Sequence, residues 1–237
     1  MSSNYKYLIS YDQITLYSLN NLLSVKIAKK GYEAVFRMKK NIDLIMKYTS
    51  LPYPPIVVIP ELKILIHDNS TLSMVYANIN YRVMRGLFQP IVEISLPFLL
   101  YASNELMNLV LAHEFLHYMY LAIRYISSDY LVNPLIYTGS IMGRKFLEDV
   151  YYVDPSKVFN NTRFVKKMAK INEILEESKI ADIIKKRWID NNYPSKSIFA
   201  DDFRIRLNIN MWSNMHFPEE IKRKAKEIMD GSKTGAT

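Results

Sequence analysis

The chain of 237 residues contains no cysteine, and this absence excludes several kinds of site and scaffold. Disulfide frameworks, thiol nucleophiles and cysteine-ligated zinc or iron–sulfur sites all require that residue. A metal ion bound by this protein must therefore have histidine and carboxylate ligands. Glycine is also scarce, with 6 residues in the whole chain, which indicates few points of high backbone freedom.

The sequence also lacks targeting and membrane segments of the usual kinds. The first residues show no basic stretch followed by a long apolar run and a small-residue cleavage site, so we expect a cytoplasmic protein. The most apolar stretch, residues 106–123, carries His113, Glu114 and His117 in its middle. We therefore expect a buried helix there and no membrane span.

The charge balance is basic, with 31 Lys and Arg against 23 Asp and Glu and a net charge of +8. The basic residues are spread along the chain, which is a weak indication of an anionic partner. The densest runs, residues 185–187 and 222–226, are typical of solvated helix faces, and no recognised nucleic-acid motif accompanies them. We predict no specific nucleic-acid partner, and the oligomeric state stays unknown.

The spacing of apolar residues predicts helices, then a sheet, then helices again. Helical spacing runs from residue 12 to residue 48, with Gly31 as a candidate break. Prolines in the segment 51–55 end that pattern. Strands are predicted at residues 56–59, 62–66, 73–85 and 91–96, and Ser103 is expected to cap a helix that stops at residues 127–129.

The remainder of the chain is predicted to be helical, near residues 139–153, 163–189, 198–208 and 218–229. We therefore expect an α+β fold with a main domain over residues 1–190. Its first part, residues 1–103, holds the helices and the small mixed sheet, and residues 104–190 hold the apolar helix and a lower helical part. Residues 191–237 are expected to form a helical C-terminal appendage.

One motif carries chemistry: residues 113–117 have the form H-E-x-x-H. Two histidines four residues apart project from one face of a helix, so both imidazoles can reach a single metal ion. Glu114 lies beside that ion, close enough to take a proton from a metal-bound water. An apolar helix should not bury these three polar side chains without a partner, because such burial costs several kcal/mol. The pattern predicts a Zn²⁺ site with His113 and His117 as ligands.

With this motif the chain resembles the zincin metallopeptidases, in which a strand-bearing part precedes the H-E-x-x-H helix and a mostly helical part follows. Metzincins need Gly and His where this sequence has Tyr120 and Ile123, so that branch is excluded. Within the zincins, the chain resembles minimal single-domain gluzincins (minigluzincins). Regulatory zinc peptidases that cleave repressors are the second family that it resembles. It implies a zincin-like fold with N-terminal backing helices.

The resemblance to gluzincins implies a third zinc ligand, a glutamate on a later helix. Glu148, within residues 145–153, matches the gluzincin pattern of an aromatic residue or Leu, then Glu, then Tyr a turn or so on. Glu177 is its rival, because Glu177 and Asp182 are similar to the E-x-x-x-D helix of some membrane-associated gluzincins, with Asp one residue late. The choice between Glu148 and Glu177 stays open.

The resemblance further implies hydrolysis of peptide bonds. Zinc polarises the scissile carbonyl and acidifies the bound water, and Glu114 acts as the general base. Tyr151, Tyr152, Tyr118 and His216 are the candidate donors to the oxyanion. A peptide or protein substrate would bind in extended form along an edge strand, which residues 73–85 or 91–96 would supply.

Two alternatives to a constitutively active peptidase stay open. In some minimal gluzincins a C-terminal segment occupies the cleft, so the segment from Tyr193 onward would shield the zinc and make the protein a latent proenzyme. The second is a regulatory or binding protein whose zinc site is structural or depends on a partner. Activity on a generic unfolded substrate distinguishes the second alternative from a peptidase.

Overall fold

The computed structural model describes residues 9–66, 72–84, 86–128, 135–136, 140–142, 153–199 and 205–233. These residues form an α+β fold, as predicted. The helices are α1 (Asp12–Leu19), α2 (Val25–Thr49), α3 (Leu96–Tyr101), α4 (Asn104–Ser127), α5 (Pro155–Val158), α6 (Thr162–Met168), α7 (Ile171–Glu177), α8 (Ile180–Arg187), α9 (Ile209–Ser213) and α10 (Glu219–Lys233). The strands are β1 (Ile9–Ser10), β2 (Ile56–Ile59), β3 (Leu62–Ile66), β4 (Leu72–Met84), β5 (Leu87–Ser95), β6 (Leu135–Ile136), β7 (Ser140–Met142), β8 (Ser195–Phe199) and β9 (Ile205–Arg206).

The main sheet is mixed and has the order β1-β2-β5-β4-β3-β8, with β7 pairing to β4. Strand β2 is parallel to both β1 and β5, and β8 is parallel to β3. The pairs β3–β4 and β4–β5 are antiparallel, and β6 pairs with β9 in a separate small sheet. The four predicted strands correspond to β2 through β5, and they form the centre of a wider sheet than the sequence indicated.

Gly31 was predicted as a candidate break in the N-terminal helical region, and the structure shows no break there. The break lies at residues 20–24, and Gly31 is a buried residue inside α2. A Cβ atom at Gly31 would lie 3.1 Å from Leu96 Cδ1 and 3.4 Å from Ile14 Cδ1. A side chain at this position would require Leu96 to shift by a few tenths of an ångström, so Gly31 permits the close packing of α2 against α1 and α3. Ser24 caps α2 by accepting a hydrogen bond from the Ile27 nitrogen at 3.3 Å.

Helix α4 has the predicted boundaries and forms the centre of the core. The Ser103 hydroxyl accepts a hydrogen bond from the Leu106 nitrogen at 3.1 Å, and Ser128 ends the helix in the left-handed conformation with φ of 60°. Among the described residues it is the one helix long and apolar enough to cross a membrane, yet 83% of its most apolar window is buried inside the protein. That degree of burial fits the core helix that the sequence predicts.

The helical predictions for the C-terminal half are partly wrong. Residues 195–199 form β8, although residues 198–208 were expected to be helical, and residues 140–142 form β7. Strand β8 exists because its backbone pairs with β3, a partner that is more than 100 residues away and invisible to local patterns. The predicted helix over residues 163–189 is three short helices, with Lys179 between α7 and α8 at a positive φ of 51°.

The segment after residue 190 packs on α4. The Phe217 ring lies 5.4 Å from the rings of Tyr118 and Tyr125, both on α4. Trp212 and Ile221 are fully buried in the same hydrophobic core. This segment therefore shares its core with the helix that carries the H-E-x-x-H residues.

Candidate metal centre

The two histidines of the motif face each other on α4. Their Nε2 atoms lie 2.8 Å apart, with one nitrogen donating and the other accepting, and their ring centroids are 4.5 Å apart at an angle of 78°. His113 is buried, with 1% of its surface exposed, whereas His117 is half-buried. The i, i+4 spacing thus places both rings together, and solvent reaches the pair from the side of His117.

Both imidazoles are held in the neutral form, which is the form that binds metals. Burial lowers the pKa of His117 to about 4. Burial, and then the neighbouring His117, lowers the pKa of His113 well below its ordinary value. Two nitrogen ligands of one tetrahedral zinc ion are about 3.3 Å apart. The Nε2 atoms are 2.8 Å apart, the distance of the hydrogen bond between them, so the two rings must separate by about 0.5 Å to take two ligand positions.

Glu114 lies between the histidines in sequence and is fully buried, with 0% exposure. Neither of its carboxyl oxygens has a hydrogen-bond partner within the part of the chain that the structure describes. Burial raises the pKa of Glu114 well above its ordinary value, because a charged carboxylate is disfavoured away from water. A buried carboxyl without a partner destabilises a fold, and such groups concentrate at functional sites.

Tyr53 is a neighbour of the site that the sequence did not reveal. Its hydroxyl donates to the Leu111 carbonyl at 2.8 Å, one turn before Glu114, and its ring stacks on Phe115 at 5.6 Å. Burial, and then the charge of Glu114, raises the pKa of Tyr53 well above its ordinary value. No local pattern marks this residue, since its contact with α4 depends on how the segment after α2 crosses the helix.

The third zinc ligand is not found among the described residues. Glu148, Tyr151 and Tyr152 lie outside them. Glu177 is exposed at the last position of α7. No group of three or more His, Asp or Glu side chains able to hold a metal ion occurs in the described ranges. The structure therefore brings His113 and His117 together, and it does not bring Glu177 to them.

The other candidate donors to an oxyanion have different surroundings. His216 is exposed, and its backbone nitrogen donates to the Phe88 carbonyl of β5 at 2.8 Å. Tyr118 is buried in the aromatic cluster with Phe217 and Phe115. The described part of the chain places His216 beside the sheet and Tyr118 in the core, and no metal-binding group includes His216.

The predicted edge strand is only partly available. Residues 91–96 cannot supply an edge, because β5 pairs with β2 on one side and with β4 on the other. Strand β4 is covered by β3 and β7 over residues 72–78. Among the described pairings, residues 79–84 of β4 pair with β5 alone, so this end of β4 has one open side.

Comparison of the chain with protein-family models, with curated proteins and with solved structures finds no match.

Proposed function

We propose that this protein is a zinc-dependent peptidase with a zincin-like fold and a gluzincin-type ligand set. The observation that carries the proposal is the pair of neutral histidines, with Nε2 atoms 2.8 Å apart, on the same helix as Glu114, which is buried and has no hydrogen-bond partner among the described residues. A core helix gains nothing in stability from the Glu114 carboxyl, since a buried polar group without a hydrogen-bond partner among the described residues is costly. The presence of this carboxyl beside two histidines favours a functional role.

In this proposal His113 and His117 hold the ion through their Nε2 atoms, and Glu148 is the third ligand. Zinc, when bound, supplies Lewis-acid polarisation of the scissile carbonyl and a water of lowered pKa. Glu114 accepts a proton from the attacking water and delivers it to the leaving amide nitrogen. Its burial suits this role, because a raised pKa lets the carboxyl hold the proton between the two transfers.

The substrate in this proposal is a peptide in extended form. Among the described pairings, one side of β4 at residues 79–84 has no strand partner, and strand addition uses a side of this kind. Strand β4 also contacts α4, the helix that carries the motif. These two features support an extended peptide bound along β4.

The depth of the site favours a second candidate function. His113 is almost completely buried, as a ligand of a closed structural zinc site would be. Under this alternative the protein is regulatory or binding, and zinc stabilises its fold or acts only with a partner. The two candidates differ in whether the zinc-loaded protein hydrolyses peptide bonds.

The test combines metal content with hydrolysis of a generic unfolded protein. Purified Glu114→Gln protein should contain about one zinc per chain and hydrolyse no substrate, whereas His113→Ala should lose the metal. Glu105→Gln is the matched control, because Glu105 is an exposed carboxylate on the same helix, and it should keep both properties. Peptidase activity retained by Glu114→Gln would reject Glu114 as the base. A zinc-loaded wild-type protein that cleaves nothing would favour the structural role.

A further inference from the structure

Exposed apolar side chains are concentrated where α1 meets α2. Of the twelve large hydrophobic side chains exposed in the described structure, seven lie between residues 11 and 36. Four of them surround the turn between the two helices, and we call these four the α1–α2 corner: Leu16 (55% exposed), Leu19 (74%), Leu22 (50%) and Val25 (78%). Exposed apolar side chains grouped in this way mark an interaction site more often than scattered single residues do.

The corner is held in place by its own hydrogen bonds and by buried neighbours. The nitrogens of Leu22 and Leu23 both donate to the Tyr17 carbonyl, at 2.9 and 3.1 Å. Ile14 and Leu23 are buried in the core, and the Tyr17 hydroxyl donates to the Glu61 carboxylate. Because Ile14 and Leu23 already occupy the inward positions, the four corner residues stay directed to the surface.

Positive charge follows the corner directly. Lys26, Lys29 and Lys30 are all exposed on the first turns of α2. Between residues 12 and 43, which span α1 and most of α2, the sequence has six basic residues and three acidic ones, Asp12, Glu33 and Asp43. The surface thus combines protruding aliphatic side chains with lysines beside them, and this combination is complementary to an anionic surface that is apolar beneath its charges.

We propose that the α1–α2 corner docks the protein onto anionic lipid bilayers. The four aliphatic side chains enter the boundary between headgroups and acyl chains, and the lysines contact the lipid phosphates and carboxylates. A second copy of this chain is a poorer occupant, because a symmetric contact through the corner would bring the lysines of both copies together. This proposal is independent of the proposed peptidase activity, since it concerns a different surface.

The test is sedimentation of the full-length protein with lipid vesicles. The protein should bind vesicles that contain phosphatidylserine and phosphatidylcholine, bind pure phosphatidylcholine vesicles far more weakly, and dissociate at high salt. The double variant Leu19→Ser, Leu22→Ser should bind at least about tenfold more weakly. The triple variant Lys26→Gln, Lys29→Gln, Lys30→Gln should bind roughly 100-fold more weakly, at about fivefold per lysine.

Two matched controls separate the corner from general charge and hydrophobicity. Ile209→Ser removes an aliphatic side chain that is also exposed, and Lys222→Gln, Lys224→Gln, Lys226→Gln removes the same charge from α10. Both controls should bind as the wild type does, and circular dichroism should show every variant folded. Absence of binding to anionic vesicles, or equal losses in the corner and control variants, would overturn the proposal. A dimer in solution that Leu19→Ser, Leu22→Ser dissociates would instead assign the corner to a second copy.

Discussion

Replacement of Glu114 by methionine, which has a side chain of similar length and no charge, should stabilise the metal-free protein. The wild-type carboxyl is fully buried, and neither oxygen has a partner among the described residues. A buried polar group left in this state costs about 1–3 kcal/mol, and methionine does not incur that cost. Its flexible thioether also adapts to a cavity made for glutamate. We therefore expect the free energy of unfolding to rise by about 1–3 kcal/mol at about pH 5.

The increase in unfolding free energy caused by Glu114→Met should grow as the pH rises. The pKa of Glu114 in the folded protein is raised above its ordinary value of 4.5. Stability from such a group is fully present below the unfolded pKa and is lost as the pH rises toward the folded pKa, because only the unfolded chain then releases its proton. Methionine has no proton to release. The difference in unfolding free energy between Glu114→Met and wild type should therefore be larger at about pH 8 than at about pH 5.

Urea denaturation in the presence of a metal chelator measures both effects. For a chain of this size, the expected increase in unfolding free energy at about pH 5 corresponds to a rise in Tm of roughly 2–12 °C. Glu176→Met is the matched control, because Glu176 is exposed on α7, and it should change the unfolding free energy by no more than about 0.5 kcal/mol. A Glu114→Met protein less stable than the wild type, or a difference that does not vary with pH, would show that the carboxyl has a polar partner in the folded protein.

Three further predictions follow from the site and the core. The pKa of His117 falls from 6.5 to about 4 on folding. The metal-free wild-type protein should therefore lose roughly 2–3 kcal/mol of stability as the pH falls between these values. His117→Gln should lose less stability over the same pH range, as measured by urea denaturation. Ser103→Ala removes the cap of α4 and should cost about 1 kcal/mol in urea unfolding, whereas a change below about 0.3 kcal/mol would mean that the cap contributes little. A chain ending at Asp190 loses β8 and the buried Trp212 and Phe217, so it should lack a cooperative thermal transition, and retention of the wild-type Tm would contradict the packing described here.

Local patterns were sufficient to predict the centre of the fold. The uniformly apolar run of β2, the short apolar run of β3 and the serine cap of α4 are signals that neighbouring residues create. Strand β8 is different, because most of its residues are exposed and its existence depends on pairing with β3. The prediction that Gly31 breaks the helix was wrong for the same reason, since the role of this glycine depends on its contact with Leu96 and not on its neighbours in sequence.

The same distinction applies to the site. The proximity of His113 and His117 follows from helical geometry alone, and the structure confirms that the two rings meet. Two features depend on long-range packing, so no pattern in the sequence could predict them: the contact between Tyr53 and α4, and the lack of a hydrogen-bond partner for Glu114 among the described residues. Glu148 stays a prediction from a resemblance, because its placement depends on a segment outside the described residues.

The most direct test of the proposed zinc centre is a crystal structure of the full-length protein grown with zinc. We predict an anomalous zinc peak about 2.0–2.1 Å from the Nε2 atoms of both His113 and His117, with a carboxylate as the third protein ligand. A structure in which the two imidazoles remain bonded to each other, with no zinc between them at a saturating concentration, would contradict the account.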